Sequence, residues 1–135
     1  LNVTDELSDK VGGVIVDLEQ IAVWDPEYIF LDPNNIQLVN DDYAVNSDFY
    51  DSLSAVKNGN VYTQVAYNWY TTNVETAVVD AYYAGKIIFP DAFDDIDIEN
   101  LAVDVYTTLL GEEAEGYYDE LVKGGLGWQQ IKIGE

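Results

Sequence analysis

Histidine, cysteine, methionine and arginine are all absent from this chain of 135 residues. Without histidine, the chain lacks the commonest general base and the commonest transition-metal ligand. Without cysteine, it can form neither a disulfide framework nor a thiolate metal site. Conventional nucleophilic triads and zinc sites are therefore excluded. We expect no catalytic residue, no metal ligand and no cofactor, and hence a protein that is not an enzyme.

Positive charge is also scarce. Five lysines face 26 acidic residues, which gives a formal net charge of -21. Such a chain repels nucleic acid and anionic bilayers, so we expect no nucleic-acid partner. The acids are spread along the sequence, as is typical of a solvated, self-repelling surface, and a salt-rich habitat would fit equally well.

Long apolar runs are missing as well. Hydrophobic residues make up 48% of the chain, yet no run approaches the ~20 residues of a membrane helix. The length suffices for one domain with a hydrophobic core, so we expect residues 1–135 to form a single domain.

The first half of the chain alternates helix and strand patterns. A nearly continuous apolar run predicts a strand over residues 28–31. Two further short strands are predicted over residues 36–39 and, from an alternating run, over residues 61–65. Asp17 is the predicted cap of a short helix that stops at Asp25 and Pro26. Ser47 is the predicted cap of another helix, which ends at Gly59.

The second half is mainly helical. Thr72 and Glu75 predict a capping box, and Pro90 breaks the helix that follows. That helix carries one apolar stripe, formed by Val74, Ala77, Val78, Ala81, Tyr82 and Ile88. The remaining predicted elements are a helix from Asp97 to Gly111, a short helix over residues 116–122 and a strand over residues 128–133.

These elements predict an α/β fold of three layers, with helices flanking a small, mainly parallel sheet.

The sequence contains no complete metal-binding motif. The acids of residues 95–99 superficially suggest a calcium loop, but the required glycine and distal glutamate are missing. Asp97 is better explained as a helix cap.

Several segments, taken in order, resemble one protein family. They are GGVIVDLEQ (12–20) with WDPEYIF (24–30), LSAVKNGNVY (53–62), IFPDAFDDID (88–97) and LNVTD (1–5). The family is the substrate-binding proteins of ABC importers for iron-siderophores, haem and cobalamin, whose two lobes are joined by one long helix. The resemblance implies that this chain is most of a C-terminal lobe. The N-terminal lobe and the spine helix would lie outside it, and we expect a fragment rather than a degenerate relative.

The same resemblance implies a function. It implies extracytoplasmic capture of a metal chelate, such as a ferric siderophore, and delivery to the membrane subunits of an ABC permease. The location would be the periplasm or the outer face of the cytoplasmic membrane, with a lipid anchor on the full-length protein. Haem or a corrinoid is an alternative ligand, and a cell-surface module that binds protein or glycan is an alternative function. Because this lobe has no arginine, either the other lobe supplies positive charge or the ligand is neutral or cationic.

The candidate ligand-binding residues are Tyr67, Asn68, Trp69 and Tyr70, which follow a predicted strand. In an open α/β sheet, ligands gather beyond the carboxyl ends of the strands. Tyr and Trp rings suit a large planar or greasy chelate, although one or two of these rings could simply cover the sheet edge. Gly13 lies in a loop that the resemblance implies lines the same cleft.

Glu19 is the candidate residue for docking to the transporter. It is the second position after the Asp17 cap, where a carboxylate also gains from the helix dipole. In the family that the chain resembles, a glutamate at the matching place pairs with arginines of the permease. Arginine binds carboxylate bidentately, so an exposed acid on a rigid first turn suits docking.

Overall fold

The structure, a computed structural model, describes residues 15–135, apart from the side chain of Trp69. Helices dominate this part of the chain, and the strands are short. The helices are α1 (Leu18–Trp24), α2 (Ile36–Ser52), α3 (Ser54–Asn58), α4 (Val74–Ile88), α5 (Ile98–Leu110) and α6 (Tyr117–Lys123). The strands are β1 (Ile29–Leu31), β2 (Val61–Thr63), β3 (Asn68–Trp69) and β4 (Thr71–Thr72). The predicted mixed α/β class is confirmed.

Strands β1 and β2 pair in parallel, as predicted. Ile29 lies opposite Val61, and Leu31 lies opposite Thr63. Helices α2 and α3 form the connection between the two strands. Because the strands are parallel, their carboxyl ends meet at the same edge, which positions the site described below.

The segment at residues 128–133 approaches β2 from the other side. Thr63 N–H donates to the Gln129 carbonyl at 2.8 Å, and Ile131 N–H donates to the Val61 carbonyl at 2.9 Å. These bonds make one antiparallel bridge, between Tyr62 and Gln130. The prediction of a strand here is therefore met only by a single bridge.

The strand predicted over residues 36–39 is wrong, because these residues open α2. The Asp32 carboxylate accepts the Asn34 N–H at 2.9 Å and starts a 3-10 turn that leads directly into the helix. Ser47 is accordingly inside α2 and is not its cap, although it begins the second of the two helical stretches that make up this element. It follows Asn46, whose φ of -126° and ψ of 31° kink α2 at that point.

Helix α4 begins without the predicted capping box. Its N-cap is Asn73, which makes no side-chain capping bond. Thr72 belongs to β4, and its hydroxyl donates to the Asn68 side-chain oxygen at 3.2 Å. Thr72, the predicted cap, is therefore part of the hairpin formed by β3 and β4. The end of α4 before Pro90 is as predicted.

The predicted buried face of α4 is also wrong. Thr76, Val79 and Asp80 are the buried residues of this helix. Most of the predicted stripe is exposed instead, namely Val74, Ala81, Tyr82 and Ile88. Two of the three buried residues are polar, and periodicity counted on apolar residues alone misses them. Each has a partner inside: the Thr76 hydroxyl lies 3.3 Å from the Tyr106 hydroxyl, and Asp80 bonds to Trp128.

Helix α5 follows its prediction closely. The Asp97 carboxylate accepts the Asn100 N–H at 2.9 Å, so Asp97 is the cap. Gly111, at φ 108°, ends the helix in a conformation that favours glycine. Ala102 and Tyr106, one turn apart on this helix, are fully buried.

The core of the described residues consists of two clusters. One contains Val65, Val79, Ala102, Tyr106 and Trp128, and joins α4, α5 and the C-terminal segment. The other contains Tyr50, Val61 and Ile133. The segment from Val61 to Val65 contributes to both clusters, so the path of the chain out of β2 is fixed by packing on each.

Candidate functional site

The carboxyl ends of β1 and β2 open onto a cavity of about 310 Å³, here called the strand-end cavity. Its wall contains the last residues of β1, the segment that leaves β2, and one residue of α4. The lining residues are Phe30, Leu31, Asp32, Gln64, Val65, Ala66, Tyr67, Asn68 and Asp80. This is the edge at which open α/β sheets bind their ligands.

A second hollow of about 380 Å³ lies beside the first. Val65 and Ala66 line both, so the segment leaving β2 forms the ridge between them. Pro33, Asn34 and the α6 residue Leu121 also line this second hollow. The sheet edge therefore presents a concave surface that is wider than either cavity alone.

A small hairpin shapes the connection that carries the aromatic residues. Asn68 pairs with Thr72, and Trp69 pairs with Thr71, in an antiparallel arrangement. Tyr70 takes the turn between them with a φ of 62°. Asn73 N–H donates to the Tyr67 carbonyl at 2.7 Å and closes the base of the hairpin. The hairpin holds the backbone of this loop against the start of α4.

The structure brings two of the candidate ligand-binding residues to the cavity. Tyr67 and Asn68 line it, and both are exposed, Tyr67 by 46%. Tyr70 is 96% exposed at the hairpin turn and does not line the cavity. Neither tyrosine is a core ring. The side chain of Trp69 and the whole of Gly13 lie outside the described part of the chain.

Asp80 is a site residue that the sequence patterns do not identify. It lines the strand-end cavity although only 6% of it is exposed. Its carboxylate accepts the Trp128 indole N–H at 2.7 Å. Burial raises the pKa of this carboxyl from 3.8 to about 6, while the bonds from Trp128 and from the Val65 N–H partly oppose the shift. Its one signal in the sequence is an acid inside the apolar run that begins at Val78.

Gln64 ties the wall of the cavity together. Its backbone N–H donates to the Leu31 carbonyl at 2.9 Å, which extends the β1–β2 ladder by one bond. Its side-chain amide donates to the Asp80 carbonyl at 3.0 Å. The ends of both strands and helix α4 are thereby held in one fixed arrangement.

Glu19 lies in the first turn of α1 and is exposed, as expected. The other end of α1 is fastened to the domain by Asp25, which has a φ of 41°. The Asp25 carboxylate accepts both the Ser54 N–H and the Ser54 hydroxyl, each at 2.7 Å. The backbone bond from Ser54 is the main cause of a lowered pKa for Asp25. Glu19 is thus displayed on a short helix anchored to the start of α3.

Within residues 15–135, no group of three acidic residues is arranged to hold a metal ion. No helix in that range is long and apolar enough to cross a bilayer.

No protein-family model and no curated protein matches this chain. The family resemblance therefore rests on the residues quoted above alone.

Proposed function

We propose that this chain is most of the C-terminal lobe of an extracytoplasmic substrate-binding protein that captures a metal chelate for an ABC importer. The observation that carries the proposal is the strand-end cavity, at which Tyr67 and Asn68 meet the carboxyl ends of two parallel strands. Concave sites with a few polar groups at this edge are the usual ligand sites of open α/β sheets.

In this proposal the lobe has three layers, with the small sheet between helices, and a second lobe faces the strand-end cavity. The two hollows beside the Val65–Ala66 ridge give one lobe a shallow surface. Ligand is enclosed only when the second lobe closes over it. The exposure of Tyr67 and Tyr70 suits rings that a ligand and a second lobe cover.

The proposed ligand is a ferric siderophore or a related chelate. Tyr67, Trp69 and Tyr70 would supply flat apolar faces for it, and Asn68 a hydrogen-bonding side chain. Haem or a corrinoid would use the same rings in the same way. Gly13 would contribute only backbone.

Glu19 is the proposed contact with the membrane subunits of the permease. It is exposed on α1, and it is not among the residues that line the strand-end cavity. A carboxylate placed away from the ligand can bind an arginine of a partner without disturbing capture. The full-length protein would act outside the cytoplasmic membrane, held there by a lipid anchor.

One observation favours a second candidate, a cell-surface module that binds protein or glycan. Tyr70 is 96% exposed at the tip of the hairpin and is not among the residues that line the cavity. Exposed tyrosines of this kind are common in protein-binding surfaces.

The test is to purify the full-length protein from its source under metal-replete conditions and record its visible absorbance. We expect a chelate or haem band that stays with the protein on ultrafiltration, passes into the filtrate after denaturation, and returns to the refolded protein when a ferric hydroxamate, haem or a corrinoid is added. Absence of such a band, absence of binding to all three ligand classes, and retention on a glycan array would together favour the surface module.

A further inference from the structure

The charges that line the strand-end cavity are all negative. Asp32 and Asp80 contribute carboxyl groups, and none of the lining residues is a lysine. The Asp32 carboxylate accepts bonds from the Asn34 backbone and side chain, both at 2.9 Å. Its donors are neutral, so its charge is oriented but not cancelled.

The lysines of the described residues are engaged elsewhere. Lys57 and Lys132 line a cavity of about 830 Å³ beside the residues that precede β2, at the opposite end of the strands. The Lys86 ammonium donates to the Ile96 carbonyl, and Lys123 pairs with Glu120 at 3.4 Å. None of these four lysines lines the strand-end cavity.

Of the two carboxyl groups, that of Asp80 is the less screened by solvent. It is nine-tenths buried, and its partners are the neutral N–H groups of Trp128 and Val65. A carboxylate in a low-dielectric wall is less screened than one on the surface and acts on charges several ångströms away. The ionised side chain therefore favours positive charge in the cavity and opposes negative charge.

We infer that the strand-end cavity selects chelates by charge, accepting a cationic or neutral group and rejecting an anionic one, and that Asp80 is a specificity-determining residue. This inference depends on the chelate-binding function proposed above and commits it to one class of ligand. It also implies that anionic catecholate or carboxylate siderophores are not the natural cargo of this lobe.

The experiment uses one ferric trihydroxamate that carries a terminal amine, in three forms of nearly the same shape. The free amine makes the complex positive, acetylation makes it neutral, and succinylation makes it negative. Each form is titrated calorimetrically into the full-length protein at pH 7.5. We expect the positive form to bind at least as tightly as the neutral form, and the negative form to bind about tenfold or more weakly than the neutral form.

The variant Asp80→Asn tests the residue. Asparagine keeps an oxygen that can accept the Trp128 N–H but removes the charge, so the affinity ratio between positive and negative forms should shrink several-fold. The matched control is Asp48→Asn, which removes one exposed charge from α2 outside the cavity and should leave that ratio unchanged. Asp32→Asn is the second variant if Asp80→Asn does not fold.

Equal binding of the three forms, or tightest binding of the negative form, overturns the inference while leaving chelate capture intact. A ratio that Asp80→Asn and Asp48→Asn change equally overturns the role of Asp80. If none of the three forms binds to wild type, capture of a ferric hydroxamate is contradicted and the inference falls with it. Failure of haem and a corrinoid as well would contradict chelate capture itself.

Discussion

The buried carboxyl group of Asp80 borders the strand-end cavity and adds a negative charge to it. Asp80 occupies the helical face that also carries Val79, and it accepts the indole N–H of Trp128 across the core. Burying an acid is unfavourable unless it is hydrogen-bonded, and the bonds to Asp80 offset only part of that cost. A position that is expensive for stability and borders a cavity is a candidate for function.

The raised pKa of Asp80 makes a prediction about stability. Its carboxyl titrates near 6 in the folded protein but near 3.8 when unfolded, so the folded state binds the extra proton between these values. This group therefore adds stability as the pH falls through 6, and the gain is complete below the unfolded pKa. Urea unfolding at pH 7 and pH 4.5 should show wild type gaining stability relative to Asp80→Asn.

Asp80→Asn also controls for protonation of the other acidic residues. Their protonation changes the free energy of unfolding of wild type and of the variant alike. An equal change in the free energy of unfolding of wild type and Asp80→Asn between the two pH values would contradict the raised pKa.

Among the helices, α1 is fastened at its carboxyl end by the side chain of Asp25. Asp25 accepts two bonds from Ser54, whereas Asp17 at the other end makes no side-chain capping bond. We expect Asp25→Ala to lower the melting temperature, and Asp17→Ala to leave it nearly unchanged. The lowered pKa of Asp25 means that its contribution is present above its unfolded pKa and is lost as the pH falls through the folded pKa.

The comparison is made by thermal unfolding at pH 7 and at pH 3. Equal destabilisation by the two alanine variants at pH 7 would show that the contact between Asp25 and Ser54 is not what holds α1.

Helix α1 also carries the proposed docking residue. Glu19→Ala should weaken binding of the full-length protein to its permease, because the bidentate partner of an arginine is lost. Chelate affinity should stay the same, since Glu19 does not line the cavity. Binding to permease in nanodiscs and calorimetric titration of chelate provide the two measurements. Glu115→Ala, another exposed acid, is the matched control.

A loss of chelate affinity in Glu19→Ala with permease binding intact would place Glu19 in the cleft and remove the docking role.

How far the sequence predicts the elements depends on whether local signals agree with packing. Helix α5 is correct at both ends, because the Asp97 cap and Gly111 act locally. The parallel pairing of β1 and β2 is also correct, because both runs have strand patterns and a helical segment separates them. Residues 36–39 fail because the turn at Asp32 propagates into a helix, which a short apolar run does not reveal.

The candidate site is predictable only in part, for the same reason. The loop from Tyr67 to Tyr70 is found from residue types and from its place after a strand. Asp80 is missed because its burial depends on Trp128, which is distant in sequence and reaches α4 only through the C-terminal segment. A polar residue inside an apolar run marks either a solvated face or a buried partner, and tertiary contacts alone decide which.

For the chain as a whole, a net charge of -21 opposes folding through self-repulsion. Self-repulsion among like charges destabilises a compact state and is screened by salt. We therefore expect the melting temperature to rise steadily as sodium chloride increases from about 0.05 to 0.5 M. Glucose at matched osmolality is the control for non-ionic effects. A melting temperature that does not change with salt would show that repulsion among the acidic residues does not destabilise the folded state.

We propose that this chain is one lobe of a two-lobed chelate carrier. The most direct test is whether the ring of Trp69 contributes to chelate binding. The measurement is calorimetric titration of a ferric hydroxamate into the full-length protein, its Trp69→Ala variant and the 135-residue chain alone. Wild type should bind, and the variant should lose about 1–3 kcal/mol of binding free energy, the worth of burying one large side chain. The isolated chain should bind weakly or not at all, because half of the contacts are missing. If Trp69→Ala binds as tightly as wild type but unfolds at a lower temperature, the ring belongs to the core and the aromatic loop is not the ligand site.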